Sequence, residues 1–203
     1  MKKILLSLVA LTAVTVSSVS AQAPQGWTFG PKVGMTISNY SGVDDTKALV
    51  GFTAGGFVEY GLNNEWLGLS LDVLYAGQGG QFKDRPSYPI TDRKVTADYL
   101  NVPVLANFYL IRGLAVKTGL QPGFLLGAKY HSTEGGVKSD VDYKDYVKSF
   151  ALALPLGLSY SFDFGLIVDA RVNFPLTKTA NRGDIIFKNT SNISAVIAVG
   201  WRF

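Results

Sequence analysis

Residues 150–160 read Phe-Ala-Leu-Ala-Leu-Pro-Leu-Gly-Leu-Ser-Tyr, with Leu or an aromatic at every even position and Ala, Pro, Gly or Ser at every odd one. A period of two is the pattern of a strand whose faces meet different surroundings. Seven more segments repeat it. Trp27, Phe29, Pro31, Val33, Met35 and Ile37 alternate with Thr28, Gly30, Lys32, Gly34, Thr36 and Ser38. Phe52 to Tyr60 sets Phe52, Ala54, Gly56, Val58 and Tyr60 against Thr53, Gly55, Phe57 and Glu59; Leu67 to Tyr75 sets its odd positions against Gly68, Ser70, Asp72 and Leu74. Leu100, Val102, Val104, Ala106 and Phe108 oppose Tyr99, Asn101, Pro103, Leu105 and Asn107. From Leu114 to Leu126 the even positions oppose Ala115, Lys117, Gly119, Gln121 and Gly123, with Thr118 the polar exception. Leu166, Val168, Ala170, Val172 and Phe174 oppose Ile167, Asp169, Arg171 and Asn173, and Ile193 to Phe203 sets its odd positions against Ser194, Val196, Ala198, Gly200 and Arg202.

The connections alternate as well. Short turns are expected at 61–65, 111–113 and 161–164, and long, charged, Gly-rich loops at 39–48, 77–96, 128–146 and 177–192. Segments of about 9–12 residues match a tilted strand crossing hydrocarbon. Short turns on one side and long loops on the other match an outer-membrane barrel with both termini on the short-turn, periplasmic side. The expected fold is therefore all-β: an eight-stranded antiparallel up-and-down transmembrane barrel. A soluble lipocalin-like barrel would alternate too, with its apolar face inward. Composition separates the two. Charged residues make up 17% of the chain, against roughly 25% in a soluble domain, and the polar face is mostly Gly, Ala, Ser and Thr, which suit a narrow interior. Trp27, Phe29, Tyr60, Trp66, Phe108, Tyr160, Trp201 and Phe203 lie near the turn end, and Tyr40, Tyr75, Tyr99, Tyr130 and Phe174 toward the loop end. Two aromatic bands around an aliphatic belt are the girdles of a membrane barrel. Pro103, Pro122 and Pro155 are expected at bulges or strand ends.

Lys2 and Lys3, the apolar run Ile4–Val16 and Val19-Ser-Ala21 have the order of a secretory signal peptide. Residues 1–21 are read as that signal, with cleavage after Ala21, and 22–203 as the barrel domain. The chain has no Cys and a single His, which excludes disulfides, lipidation at Cys, Cys nucleophiles and thiolate or His-rich metal sites. Net charge is +4, too small and too scattered for nucleic acid.

Beyond this pattern, several motifs resemble the PorT-like outer-membrane barrel family common in Bacteroidetes. They are Gly30-Pro-Lys-Val-Gly34 leading to Ser38, Leu71-Asp-Val-Leu-Tyr75 with Gly77-Gln-Gly79, Tyr99-Leu-Asn-Val-Pro103, and Thr118-Gly-Leu-Gln-Pro-Gly-Phe-Leu-Leu-Gly-Ala-Lys129. Met35-Thr36 stands where the family usually has Asn. The resemblance implies a membrane barrel and, through PorT itself, a link to protein secretion.

The inward face carries Lys32, Glu59, Asp72, Lys117, Asp169, Arg171 and Arg202. Charges in a narrow interior pair or stay hydrated, so this set is expected to form a salt-bridge plug, with Asp72 or Glu59 meeting Arg171. His131-Ser132 with Glu134 invites comparison with lipid-modifying barrel hydrolases, but neighbours on a strand point to opposite faces. No catalytic residue, metal or cofactor is expected. The expected role is structural or interactive, through the extracellular loops or the periplasmic rim; a lipid-modifying enzyme and a narrow channel are the alternatives. Expected partners are outer membrane lipid and lipopolysaccharide, whose phosphates the mixed-charge loops can touch. The barrel assembly machinery is expected to recognise the C-terminal strand through Trp201 and Phe203, and a periplasmic or surface protein is a further partner. No nucleic acid is expected, and the barrel is read as a monomer.

Overall fold

The computed structural model describes residues 23–41, 46–62, 66–83, 90–134, 136–179 and 190–203. The signal peptide read at 1–21 lies outside these residues. The strands are β1 (Gly26–Ser41), β2 (Thr46–Lys47), β3 (Leu49–Gly61), β4 (Leu67–Phe82), β5 (Ile90–Asn101), β6 (Val104–Ile111), β7 (Leu114–Glu134), β8 (Val137–Asp142), β9 (Phe150–Ser161), β10 (Leu166–Pro175) and β11 (Ser191–Trp201). All pairings are antiparallel, and β1 pairs with both β3 and β11, so first and last strands close a ring. The ring has eight staves: β1, β3, β4, β5 with β6, β7, β9, β10 and β11. Closure leaves no sheet edge within the hydrocarbon. At the turn end the seam is tied by Phe203 N–H donating to the Phe29 carbonyl at 2.9 Å.

The faces follow the alternation. Trp27, Val33, Phe52, Leu69, Val104, Leu120, Leu158 and Ile197 are exposed on the outer surface, while Lys32, Asp72, Lys117, Asp169 and Arg171 are buried. Exposed apolar side chains in an unbroken belt mark a surface solvated by lipid tails. Trp27–Tyr60 and Trp66–Phe108 pair at the turn end, and Phe52–Tyr75 and Phe124–Phe150 at the loop end.

Three expectations change. First, Tyr40 and Tyr99 are not in the loop-end girdle but inside, each 4% exposed. Their parity already placed them inward, two residues beyond Ser38 and before Asn101. Second, the second and third loops are shorter than read. β4 continues to Phe82 and β5 starts at Ile90, while β7 runs to Glu134 and turns back as β8. Above the hydrocarbon the outer face need not be apolar, so the alternation fades although the ladder continues. A register shift between Asp98 and Tyr99, opposite Gly127 and Leu125, also inverts the phase there. Third, Pro122 and Pro155 sit inside strands rather than at bulges or strand ends. Their missing donors fall at ladder gaps: β7–β9 pairing skips from Thr118↔Leu156 to Gln121↔Ala153, and Pro122 lies beside the β5–β6 break at Val102-Pro103. That break is bridged by Val102 N–H donating to the Pro122 carbonyl and Asp72 N–H to that of Pro103.

The long-stave end is expected to be the extracellular one, as in other outer-membrane barrels. In a chain without native Cys, a cysteine at exposed Lys138 is expected to react with an impermeant thiol reagent on intact cells. One at exposed Asp163, in the opposite turns, is expected to react only after permeabilisation. Labelling at Asp163 alone would invert the orientation.

Candidate functional site: an ion-pair layer across the bore

Five of the seven predicted interior charges meet at one level. Lys32 comes from β1, Asp72 from β4, Lys117 from β7, and Asp169 and Arg171 from β10. These are alternate staves of the ring, so the side chains converge on the axis. Asp72 Oδ2 accepts from Lys32 Nζ at 2.8 Å and from Arg171 Nη2 at 2.8 Å. Asp169 lies 3.2 Å from Arg171 Nε, 3.5 Å from Lys117 Nζ and 3.8 Å from Lys32 Nζ. β4 and β10 stand on opposite sides of the ring, so the Arg171–Asp72 bond spans the bore. Lys32 is 1% and Asp72 0% exposed.

Three of the intervening staves, β3, β9 and β11, carry glycine at this level. Gly157 on β9 is registered against both Lys117 and Arg171, and Gly55 on β3 and Gly200 on β11 flank Lys32. These glycines leave room for the long charged side chains to cross the axis. Larger buried side chains also stand there: Asn107 opposite Lys117, Val196 opposite Arg171, and Phe57, whose ring supports Lys32 Nζ at 4.9 Å from the centroid.

The other two predicted charges stay outside the layer. Glu59 is buried nearer the turn end and accepts from the Tyr109 hydroxyl at 2.5 Å. Arg202 is half-buried past the end of β11 and joins no ion pair among the described residues. Arg171 therefore meets Asp72 and Asp169, not Glu59. Trp201 and Phe203 face outward, with Phe203 6.2 Å from Phe29 and Trp201 6.1 Å from Phe164 across the seam region.

Above the layer is an uncharged cavity of about 40 Å³ of mixed lining, with Gln78, Asn101, Gln121 and Asn173 beside Leu152 and Ala153. That is room for one or two waters. Tyr99, Val147 and Tyr143 pack together over it, and Tyr143 also packs against the Tyr40–Val95 cluster. This apolar mouth was not legible, because Tyr143 and Val147 lie in a stretch without alternation.

Outside the barrel, near the loop end, His131 Nδ1 is 2.6 Å from Asp140 Oδ1 and Nε2 is 3.0 Å from Thr96 Oγ1. Ser132, the hydroxyl considered with His131, stands in register with Ser139, and as the next residue along β7 it points to the opposite face from His131. Sequence reasoning missed Thr96 and Asp140, since the β5–β7–β8 register that joins them has no local signature. Among the described residues no cluster of His, Asp and Glu could hold a metal.

Two solved structures share this architecture. Ail, the attachment invasion locus protein of Yersinia pestis, in complex with the heparin analogue sucrose octasulfate, is 16% identical with a TM-score of 0.53, covering 88% of this chain and 100% of that one. Neisserial surface protein A is 17% identical with a TM-score of 0.52, covering 88% and 98%. At such identities the likeness is one of fold. No curated protein sequence matches. The family model for the outer membrane protein beta-barrel domain matches residues 20–181. With a closed ring of eight staves, a lipid-facing apolar belt and that match, the chain belongs to the outer membrane protein beta-barrel domain family and resides in the outer membrane.

Proposed function

We propose that the protein is a closed barrel that acts through its extracellular rim, as an interaction or structural element of the outer membrane. The observation that carries this reading is the Arg171–Asp72 bond across the bore, flanked by Lys32, Lys117 and Asp169. A bore filled in this way supports neither a channel nor an interior substrate site, which leaves the surfaces outside the bilayer. The staves that rise furthest, β4, β5 and β7 with β8, are on the loop side.

The reading is non-enzymatic. Thr96, His131 and Asp140 form a hydrogen-bonded string, but a hydrolase also needs free donors for a developing oxyanion. Thr96 lies in a strand paired on both sides, with Gly79 on β4 and Lys129 on β7, so the ladders occupy the nearby backbone N–H groups. Lipid and lipopolysaccharide contacts fit exposed Lys129 and Lys138 near the outer leaflet. That Ail is solved in complex with a heparin analogue supports polyanion contact as a use of this fold. The PorT-like motifs support a secretion-linked partner as a narrower form of the reading, and the outward Trp201 and Phe203 support recognition by the assembly machinery.

The test has two arms. Purified protein in planar bilayers is expected to give no stepwise conductance, and His131→Ala is expected to leave the lipid composition of the outer membrane unchanged. Resolved conductance steps from wild-type protein would replace the rim with a channel. A lipid change dependent on His131 would replace it with an enzyme.

A further inference from the structure

β8 is an edge strand held outside the barrel. It pairs with β7 alone among the described strands, and all six of its residues are exposed, Val137 and Val141 at 72% and 52%. Natural proteins usually blunt such an edge, since its open N–H and C=O groups template pairing with another chain.

The phase of that edge can be read. Tyr143 N–H donates to the Ala128 carbonyl at 3.0 Å, one step beyond the Lys129↔Asp142 pair. Hydrogen-bonded and non-hydrogen-bonded pairs alternate in an antiparallel ladder. Val137, Ser139 and Val141 therefore use their backbone groups on β7, while Lys138, Asp140 and Asp142 turn theirs to the open side. A second β8 laid antiparallel must match residues of this latter set. Centred on Ser139, the match sets Lys138 against Asp140 and Asp140 against Lys138, with Val137 against Val141 on the other face. Centred on Lys138 or on Asp140, it sets a like charge against itself, which is unfavourable. The sequence Val-Lys-Ser-Asp-Val is thus complementary to itself in a register that the hydrogen-bond phase allows.

Direction fixes where the second copy sits. β7 climbs from the turn end and β8 returns toward the membrane. A partner strand antiparallel to β8 climbs, yet it too returns toward its own membrane, which must face the first. Two barrels in one membrane, related by an axis along its normal, would align their β8 strands in parallel and put Lys138 beside Lys138. The geometry points to homotypic pairing of β8 edges between copies in two opposed outer membranes. This names the partner of the rim and rests on the rim reading above. One six-residue pair buries far less than a stable complex needs, so the contact works through many copies per membrane.

Full-length protein reconstituted into phosphatidylcholine vesicles and followed by light scattering tests it. Wild-type vesicles are expected to cluster. Lys138→Asp and Asp140→Lys are each expected to slow clustering about a hundredfold, because each sets like charges opposite one another. Vesicles of the two variants, mixed, are expected to cluster again, since the two carboxylates of one variant then face the two ammonium groups of the other. Heat-modifiable migration of each variant on gels checks that the barrel is intact. Undiminished clustering by either single variant, no recovery in the mixture, or no clustering by wild type would each overturn the pairing. None of these touches the conductance and lipid arms, which decide the rim reading separately.

Discussion

Asp72→Ala is expected to destabilise the refolded barrel by about 3–5 kcal/mol, read as a lower urea midpoint in detergent, and to cost more than Arg171→Ala. The reason is the charge count of the layer. Lys32, Lys117 and Arg171 face Asp72 and Asp169. Removing Arg171 leaves two cations with two carboxylates: Lys32 keeps Asp72 at 2.8 Å, and Lys117 keeps Asp169 at 3.5 Å. Removing Asp72 leaves three buried cations around one carboxylate and takes the nearest partner from both Lys32 and Arg171. Breaking a buried pair from one side costs more than the pair contributes, because the charge left behind stays desolvated. Adding Lys32→Met to Asp72→Ala is therefore expected to recover part of the loss. Val168→Ala, on the lipid side of β10, is expected to change little, since the side chain leaves one apolar surrounding for another. If Arg171→Ala proved the more damaging, the guanidinium would be acting through packing rather than charge. If Val168→Ala proved the most damaging, the inner and outer faces would be exchanged.

Inward and outward sides were legible in the sequence because parity is a local property. Ser38, Asp72 and Arg171 could each be assigned from their immediate neighbours, and eight such runs determined the stave number. The partners of the charges were not legible. Whether Arg171 reaches Asp72 or Glu59 depends on the stagger between β4 and β10, which stand opposite each other and share no backbone ladder. Stagger around a barrel is set by every pairing between them, and the register shift between Tyr109 and Ile111 and the one at Asp98 leave no clear mark in sequence. The same limit hid Thr96 and Asp140 from His131. The loops were misjudged for another reason. Gly77-Gln-Gly-Gly80 has the composition of a loop, yet β4 runs through it, and Gly80 packs under the Tyr40 ring where an added Cβ would meet that ring at 2.5 Å. Glycine there marks close packing inside a barrel mouth rather than a turn.

That use of glycine leads to a substitution expected to act against the usual strand preference. Gly to Ala inside a strand ordinarily stabilises, since Ala loses less backbone freedom on folding. Gly157→Ala is expected to do the opposite, lowering the urea midpoint by an amount on the order of 1–3 kcal/mol, the usual range for overpacking. The new methyl would point into the bore between Lys117 and Arg171, 2.5 Å from Arg171 Cβ and 2.7 Å from its Cα. The obstacle is backbone and the root of a side chain, neither of which can rotate away. Relief requires β9 and β10 to separate, which weakens their ladder and draws the guanidinium back from Asp72. Gly56 on β3 is the matched control. It faces outward, and an added Cβ there comes no nearer than 3.4 Å to the Gly30 carbonyl oxygen. Gly56→Ala is expected to be neutral or slightly stabilising in the same assay. Combining Gly157→Ala with Arg171→Ala separates the two parts of the effect. If the methyl acts mainly by dislodging Arg171, the double variant will be little worse than Arg171→Ala alone. If the two losses add in full, the methyl acts on the β9–β10 ladder independently, and the small residues between the charged staves serve strand approach rather than the ion-pair layer.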